Sequence, residues 1–252
     1  MIKFLIFDLD GTLYEKKSVV MYYLQEFAKE EGLDLDFLHK KFTEAYLQAK
    51  KEKFSSTEEF WSRVHIIFLD GIKSKKIEKL ETFANKAKET VLFNIKPRSN
   101  LIKFLSEAKK SGIKIIVFSG SEDMYDSINI SDQKNNISKL RLFKQKQIAR
   151  LGLNQYVDRI ILSAEYGGYK PQKFVFEKLL ENIKGKPEEC IMIGDTYNDI
   201  GAVQLGIFSV LIDNNDTKEF IPNLRIKDFQ ELIDIIDFEK CMLKQMDVKE
   251  DQ

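Results

Sequence analysis

The sequence contains very little of the two residue types that most often hold transition metals or disulfides. Its 252 residues include only two cysteines, Cys190 and Cys241, and only two histidines. Two cysteines cannot build a disulfide framework or a cysteine-rich zinc site. His39 and His65 have no partner at ligand spacing, which argues against a histidine-based metal site. The low cysteine content fits a reducing compartment, and we expect a cytoplasmic protein.

The sequence also lacks an excess of charge and a long apolar run. Lys plus Arg and Asp plus Glu each total 40, so the net charge is zero. This balance gives no support for nucleic acid or an anionic membrane as the partner, and we expect neither. No apolar run approaches the roughly 18 residues of a membrane span. Apolar residues still make up 43% of the chain, which excludes a disordered chain and predicts a substantial core.

Short apolar runs of strand length recur along the chain and are rich in Ile, Val and Phe. They cover residues 2–7, 113–118, 159–162, 190–193 and 208–212. They lack strict alternation, which is typical of strands that are buried on both faces. Helical patterns lie between them, as in Ser99 to Ser111 and Pro171 to Lys184. The alternation predicts an α/β fold with a doubly wound, Rossmann-like parallel sheet.

The chain between the first two apolar runs has a different pattern. It contains no strand-like run, and its apolar residues recur at helical spacing. We therefore predict a helical cap subdomain at residues 15–96, inserted into an α/β core formed by 1–14 and 97–237. Residues 238–252 form a charged C-terminal tail, which we expect to be a frayed helix.

Polar side chains follow the apolar runs where a parallel sheet would place its ligands, beyond the carboxyl ends of the strands. In chain order they are Asp8 and Asp10 in DLDGTLY, Ser119-Gly120, Lys170, and Asp195 and Asp199 in GDTYND. The carboxylates would repel one another unless a cation neutralised them. Oxygen ligands without His or Cys suit Mg²⁺.

A Mg²⁺ site that also holds a Lys and a Ser hydroxyl suits a phosphoryl group. One carboxylate can act as the nucleophile and form an aspartyl-phosphate. A second carboxylate two residues later shares its strand face, and it can protonate the leaving oxygen and then activate water. The residues therefore indicate phosphoryl transfer.

The motifs carry a resemblance to a known family. Four motifs resemble, in their order along the chain, those of the haloacid dehalogenase-like (HAD) superfamily of phosphohydrolases. They are DLDGTLY, Ser119 at a strand end, Lys170-Pro171 and GDTYND. The helical insert resembles the α-helical cap of the phosphatase branch, which closes over the substrate. The resemblance covers nearly the whole chain. It departs from the common pattern at Ser119-Gly120, where many members have Thr-Asn, so that the hydroxyl is kept and the following amide contact is lost.

The resemblance implies a role for each of these residues. Asp8 is the nucleophile and a Mg²⁺ ligand, and Asp10 is the general acid and base and a ligand through its backbone carbonyl. Asp195 is a further metal ligand. Ser119 and Gly120 bind the phosphoryl group. Lys170 neutralises charge on the nucleophile and on the phosphoryl oxygens. Asp199 supports the metal shell or Lys170.

The implied activity is a Mg²⁺-dependent phosphatase for a small phosphorylated metabolite. Asp10 argues against a dehalogenase, because the dehalogenases of the family generally lack that acid. Two alternatives stay open: a phosphomutase or phosphotransferase with the same intermediate, and a non-catalytic binding protein with the same fold. The sequence leaves the substrate and the oligomeric state open. For the long stretch between Ser119 and Leu151 we favour a surface loop over a part of the pocket.

Overall fold

The structure, a computed structural model, describes residues 1–15, 19–54, 57–93, 95–120, 130–213 and 220–244. The chain divides into two compact units. The first, here called the α/β unit, comprises Met1–Glu15, Lys96–Gly120 and the described part of Leu151–Gln252. The second, the helical unit, comprises the described parts of Lys16–Ile95 and Ser121–Arg150.

The α/β unit contains a parallel six-stranded sheet in the order β3-β2-β1-β4-β5-β6. Its strands are β1 Phe4–Phe7, β2 Lys114–Ser119, β3 Arg159–Leu162, β4 Cys190–Gly194, β5 Phe208–Ile212 and β6 Leu224–Ile226. The five apolar runs thus correspond to β1 to β5, which confirms the predicted α/β class with a doubly wound parallel sheet. The sixth strand has only three residues and carries the charged Arg225, so the apolar pattern did not reveal it.

Helices cover both faces of this sheet. They are α5 Leu101–Lys110, α7 Lys173–Ile183, α8 Tyr197–Ile200 and α9 Phe229–Ile235. On one face, Ile6 of β1 lies in an apolar cluster with Phe176 of α7. On the other face, the ring of Phe7 lies 6.2 Å from those of Phe104 in α5 and Phe229 in α9. Adjacent residues of β1 are therefore buried on opposite faces, which explains the absence of alternation in its sequence.

The described part of the tail, residues 238–244, forms the turn and the second strand of a hairpin, so the expectation of a frayed helix was wrong. β7 Ile236–Asp237 pairs antiparallel with β8 Met242–Leu243. The backbone N–H of Ile2 donates to the carbonyl oxygen of Cys241 at 2.5 Å, which ties the hairpin to the start of the chain. The charged residues suggested solvation, but the backbone bonds are what order this segment. Residues 245–252 lie outside the described part.

The helical unit contains the helices predicted within residues 15–96. They are α1 Val19–Glu31, α2 Leu35–Ala49, α3 Thr57–Gly71 and α4 Ile77–Phe93. They share one core of aromatic and aliphatic side chains in which Phe27, Phe60 and Phe68 are fully buried. The helical spacing of these apolar residues was therefore a correct prediction of structure.

A further helix, α6 Ile130–Arg150, belongs to the same unit and lies against α4. The expectation of a surface loop was wrong for these residues, and 121–129 lie outside the described part. The sequence did not reveal this helix because its buried face is partly polar. Lys144 is 5% exposed and Gln147 is 3% exposed. Long polar side chains can cover apolar surface with their methylene groups, which hides a helical period from the sequence.

In the part of the chain that the structure describes, no helix is both long enough and apolar enough to cross a bilayer.

Candidate active site at the carboxyl edge of the sheet

The sheet order brings the polar residues after β1, β2 and β4 to one edge. β1 lies between β2 and β4, and Phe7 is in register with Val117 on one side and Ile193 on the other. The N–H of Asp8 still donates to the carbonyl oxygen of Ile193 at 2.9 Å, so Asp8 continues the strand by one residue. Parallel strands share the direction of their carboxyl ends, and this edge therefore collects the predicted site residues.

Lys170 links two of these carboxylates at a buried position. Its Nζ donates to Oδ1 of Asp8 at 2.7 Å and to Oδ1 of Asp199 at 2.5 Å. A third bond runs to the carbonyl oxygen of Phe118 at 3.2 Å. The Lys170 side chain is 1% exposed, so its ammonium is held by these acceptors in a site with little water. A buried charge of this kind requires paired partners, and Asp8 and Asp199 supply them.

Asp199 is engaged at both of its oxygens. Its Oδ2 accepts from the backbone N–H of Thr196 at 3.2 Å and from the Thr196 hydroxyl at 3.0 Å, while its Oδ1 accepts from Lys170. Gly194 allows this approach, because a Cβ there would overlap the side chain of Asp199. Asp199 therefore anchors Lys170 and caps α8.

Carboxylate oxygens of Asp8, Asp195 and Asp199 lie within 4.8 Å of one another, a spacing that could hold a metal ion. The Thr12 hydroxyl donates to Oδ1 of Asp195 at 3.2 Å. Gly11 has a φ of +96°, and a Cβ there would overlap the Asp195 carboxylate. Only glycine combines that backbone angle with that close approach.

The electrostatics of the cluster favour a cation. Burial raises the pKa of the Asp8 carboxyl from 3.8 to about 8; Lys170 lowers it, and the carboxylates of Asp199 and Asp10 raise it. The ammonium of Lys170 therefore lowers the pKa of Asp8 by less than burial and the neighbouring carboxylates raise it. A divalent cation bound to these oxygens would favour the ionised form of Asp8. The all-oxygen donor set fits Mg²⁺, which binds proteins through one or two carboxylates.

Ser119 ends β2, the strand that neighbours β1, and its hydroxyl is buried. The residue is 1% exposed, and its Oγ has no hydrogen-bond partner in the part of the chain that the structure describes. An unsatisfied buried hydroxyl costs free energy unless a ligand satisfies it. Gly120 follows as a partly exposed residue. The position of Ser119 suits a group that brings its own oxygen acceptors.

Asp10 lies in the loop after β1 and is partly exposed. Its Oδ1 accepts a hydrogen bond from the hydroxyl of Tyr14 at 2.5 Å. From the sequence, Tyr14 lies at the point where the chain leaves the site. The contact of its hydroxyl with Asp10 is visible only in the structure.

Sequence reasoning missed two residues that support this loop, Thr12 and Arg98. Arg98 donates to the carbonyl oxygen of Gly11 through Nε at 3.0 Å and through Nη2 at 2.5 Å, and it pairs with Asp213. Thr12 could have been noticed inside DLDGTLY. Arg98 had no motif around it, and its partners are 87 and 115 residues away in the chain.

Comparison with protein families gives a match over most of the chain. Residues 2–205 match the model of haloacid dehalogenase-like hydrolases. The matched segment contains all of the predicted site residues, from Asp8 to Asp199.

Two curated relatives that match over most of their length are phosphatases. A glyceraldehyde 3-phosphate phosphatase of Methanocaldococcus jannaschii is 27% identical over 245 residues, which cover 94% of this chain and 97% of the relative. A phosphoglycolate phosphatase of Aquifex aeolicus is 26% identical over 199 residues, which cover 79% of this chain and 78% of the relative. The two relatives act on different phosphorylated compounds.

Solved structures show the same fold. YfnB of Bacillus subtilis, in a crystal structure bound to magnesium, superimposes with a TM-score of 0.63. The two chains are 16% identical, and the match covers 93% of this chain and 98% of YfnB. At this identity the likeness concerns the fold alone.

Proposed function

The chain belongs to the haloacid dehalogenase-like hydrolases, and we propose that it is a Mg²⁺-dependent phosphatase for a small phosphorylated metabolite. The observation that carries the proposal is the contact of Lys170 with both Asp8 and Asp199. At the end of the neighbouring strand β2, the Ser119 hydroxyl has no hydrogen-bond partner among the residues that the structure describes. This arrangement offers a carboxylate nucleophile next to a cation and a hydrogen-bond donor, which is what an incoming phosphoryl group requires.

The first chemical step is transfer of the phosphoryl group to the protein. An oxygen of Asp8 bonds to phosphorus while the bond between phosphorus and the leaving oxygen breaks. Asp10 gives its proton to that leaving oxygen. The Ser119 hydroxyl and the backbone N–H of Gly120 donate to the phosphoryl oxygens, and Lys170 neutralises negative charge on Asp8 and on the phosphoryl group.

The second step releases phosphate and restores the protein. Asp10, now ionised, takes a proton from water as the water oxygen bonds to phosphorus and the bond to Asp8 breaks. Asp8, Asp195 and the backbone carbonyl of Asp10 would hold Mg²⁺, and Asp199 would keep Lys170 in place. Bound Mg²⁺ supplies positive charge that offsets the carboxylates and the phosphate.

The substrate class is proposed only at the level of a small phosphorylated metabolite. The relatives are named for three-carbon and two-carbon phosphates, so the substrate panel begins with glyceraldehyde 3-phosphate and phosphoglycolate. Sugar phosphates and nucleotides complete the panel, because the α/β unit alone does not select among them.

The test measures inorganic phosphate released from this panel with Mg²⁺ and with EDTA. We expect at least one compound to be hydrolysed only with Mg²⁺, and we expect Asp8→Asn to abolish the release while the circular dichroism spectrum is unchanged. Asp234→Asn, the same change at an exposed position, serves as the control. Full activity of Asp8→Asn would refute the mechanism, and conversion to an isomeric phosphate without release would favour a phosphomutase.

A further inference from the structure

One hydrogen bond joins the two ends of the loop from Asp10 to Tyr14. The Tyr14 hydroxyl donates to Oδ1 of Asp10 at 2.5 Å. This length lies in the range of charge-assisted O–H···O bonds, which are stronger than bonds between neutral groups. The contact therefore holds the plane of the Asp10 carboxyl group.

The tyrosine itself is fixed by the surrounding backbone. Tyr14 is 2% exposed, and its backbone forms β-bridges with Asp10 and with Pro97. The N–H of Arg98 donates to the carbonyl oxygen of Leu13 at 3.0 Å, next to Tyr14. A tyrosine side chain has only two torsion angles, so burial leaves the hydroxyl little freedom. The donor is thus in place before any substrate arrives.

Asp8 and Asp10 differ in the partner that each receives. Asp8 faces the ammonium of Lys170, whereas Asp10 faces the hydroxyl of Tyr14. A cation stabilises the ionised carboxylate that a nucleophile needs. A neutral hydroxyl orients a carboxyl group in either protonation state, because the carbonyl oxygen of a protonated acid still accepts a hydrogen bond.

We propose that Tyr14 is a positioning residue that holds Asp10 for proton transfer through Oδ2. The inference rests on the proposed function, in which Asp10 is the acid and the base. In the first step the proton leaves Oδ2 for the leaving oxygen as its bond to phosphorus breaks. In the second step Oδ2 receives a proton from the attacking water. Oδ1 accepts from Tyr14 throughout, so the carboxyl group does not rotate between the steps.

The test compares two substrates of similar shape, phenyl phosphate and p-nitrophenyl phosphate. Phenolate leaves poorly and needs a proton from the protein, whereas p-nitrophenolate leaves well without one. We expect Tyr14→Phe to lower kcat/KM for phenyl phosphate about 10-fold and for p-nitrophenyl phosphate less than about 3-fold. The larger loss is smaller than the roughly 100-fold or more that the general acid itself contributes, because Asp10 is still present. Equal losses on both substrates, or no loss on either, would overturn the proposal.

Tyr23→Phe is the matched control. Tyr23 is buried in the helical unit, and its hydroxyl lies 3.4 Å from Nε2 of His65. The control therefore removes a buried hydroxyl with a polar contact from a different place. We expect the ratio of the two kcat/KM values to stay at that of the wild type.

A double variant separates positioning from a general effect on the fold. If Tyr14 acts through Asp10, Asp10→Asn with Tyr14→Phe has the same kcat/KM for phenyl phosphate as Asp10→Asn alone, within about 2-fold. A multiplicative loss in the double variant would contradict this assignment. Should Tyr14→Phe fail to fold, 3-fluorotyrosine at position 14 keeps the ring and the hydroxyl but changes the donor strength. The ratio of the two substrates is then expected to shift, and an unchanged ratio counts against the proposal.

Different outcomes refute the proposed phosphatase activity and the positioning role of Tyr14. Absence of Mg²⁺-dependent release from wild-type protein over the whole panel refutes the proposed function, and the inference on Tyr14 with it. Release that Asp8→Asn abolishes but Tyr14→Phe leaves unchanged on phenyl phosphate refutes the inference alone.

Discussion

Arg98 donates two hydrogen bonds from its guanidinium to the carbonyl oxygen of Gly11. The same guanidinium forms an ion pair with Asp213 at the end of β5. Gly11 directly follows Asp10, so the contact fixes the backbone of the loop from Asp10 to Tyr14. An arginine suits this task because its planar group offers several donors at once.

The first prediction concerns the contact of Arg98 with the Gly11 carbonyl oxygen. Arg98→Lys keeps the charge but loses the forked contact, and the loop after Asp10 is then held less closely. We expect kcat/KM for the best substrate of the panel to fall about 10-fold, because small displacements of reacting groups are costly. Asp213→Asn removes the ion pair but keeps the bonds to Gly11, and a clearly smaller loss is expected. Equal losses would show that the ion pair, and not the contact with Gly11, matters.

The second prediction concerns the close approach of Gly11 to Asp195. Gly11→Ala places a methyl group against the carboxylate, so we expect activity to fall about 100-fold. Gly152→Ala is the control, because Gly152 also has a positive φ, of +71°, but open space around it. We expect that control to lose about 1–2 kcal/mol of stability and to keep its activity. The idea fails if both variants retain wild-type kcat/KM.

The third prediction concerns the buried ammonium. Lys170→Met leaves Asp8 and Asp199 without their cation, and removal of one partner from a buried ion pair costs about 3–5 kcal/mol. Urea unfolding in EDTA measures this loss. Lys178→Met breaks an exposed contact with Glu181 and is expected to leave the unfolding midpoint unchanged. A midpoint for Lys170→Met as high as that of the wild type would contradict the burial argument.

The fourth prediction concerns pH and metal removal. Burial raises the pKa of Asp8 in the folded protein to about 8, above its ordinary 3.8. Between these values the folded state retains a proton that the unfolded state has lost, so the free energy of unfolding declines as pH rises. In EDTA, Asp8→Asn should show a flatter dependence than the wild type over this interval.

Magnesium provides the control for this fourth prediction. Added Mg²⁺ should flatten the wild-type curve, because a bound cation favours the ionised carboxylate. Chemical denaturation across the pH interval follows both effects. Parallel curves for wild type and Asp8→Asn in EDTA would show that Asp8 does not titrate in this way.

The apolar runs predicted the strands well because a strand that is buried on both faces has apolar side chains at nearly every position. β3 and β5 begin and end where their runs do. Helix α6 was missed for the opposite reason, since its buried face includes Lys144 and Gln147. The hairpin β7–β8 was missed because backbone hydrogen bonds, which carry no sequence signal of their own, order it.

By itself, the sequence determined which residues end the strands, and therefore that Asp8, Ser119, Lys170, Asp195 and Asp199 would meet at one edge of the sheet. That inference needed only the rule that parallel strands align their carboxyl ends. The tertiary structure alone decided the contacts between side chains: Lys170 between two carboxylates, Tyr14 on Asp10, and Arg98 on Gly11. Such contacts join residues distant in the chain, and their geometry follows from how the loops pack rather than from local periodicity.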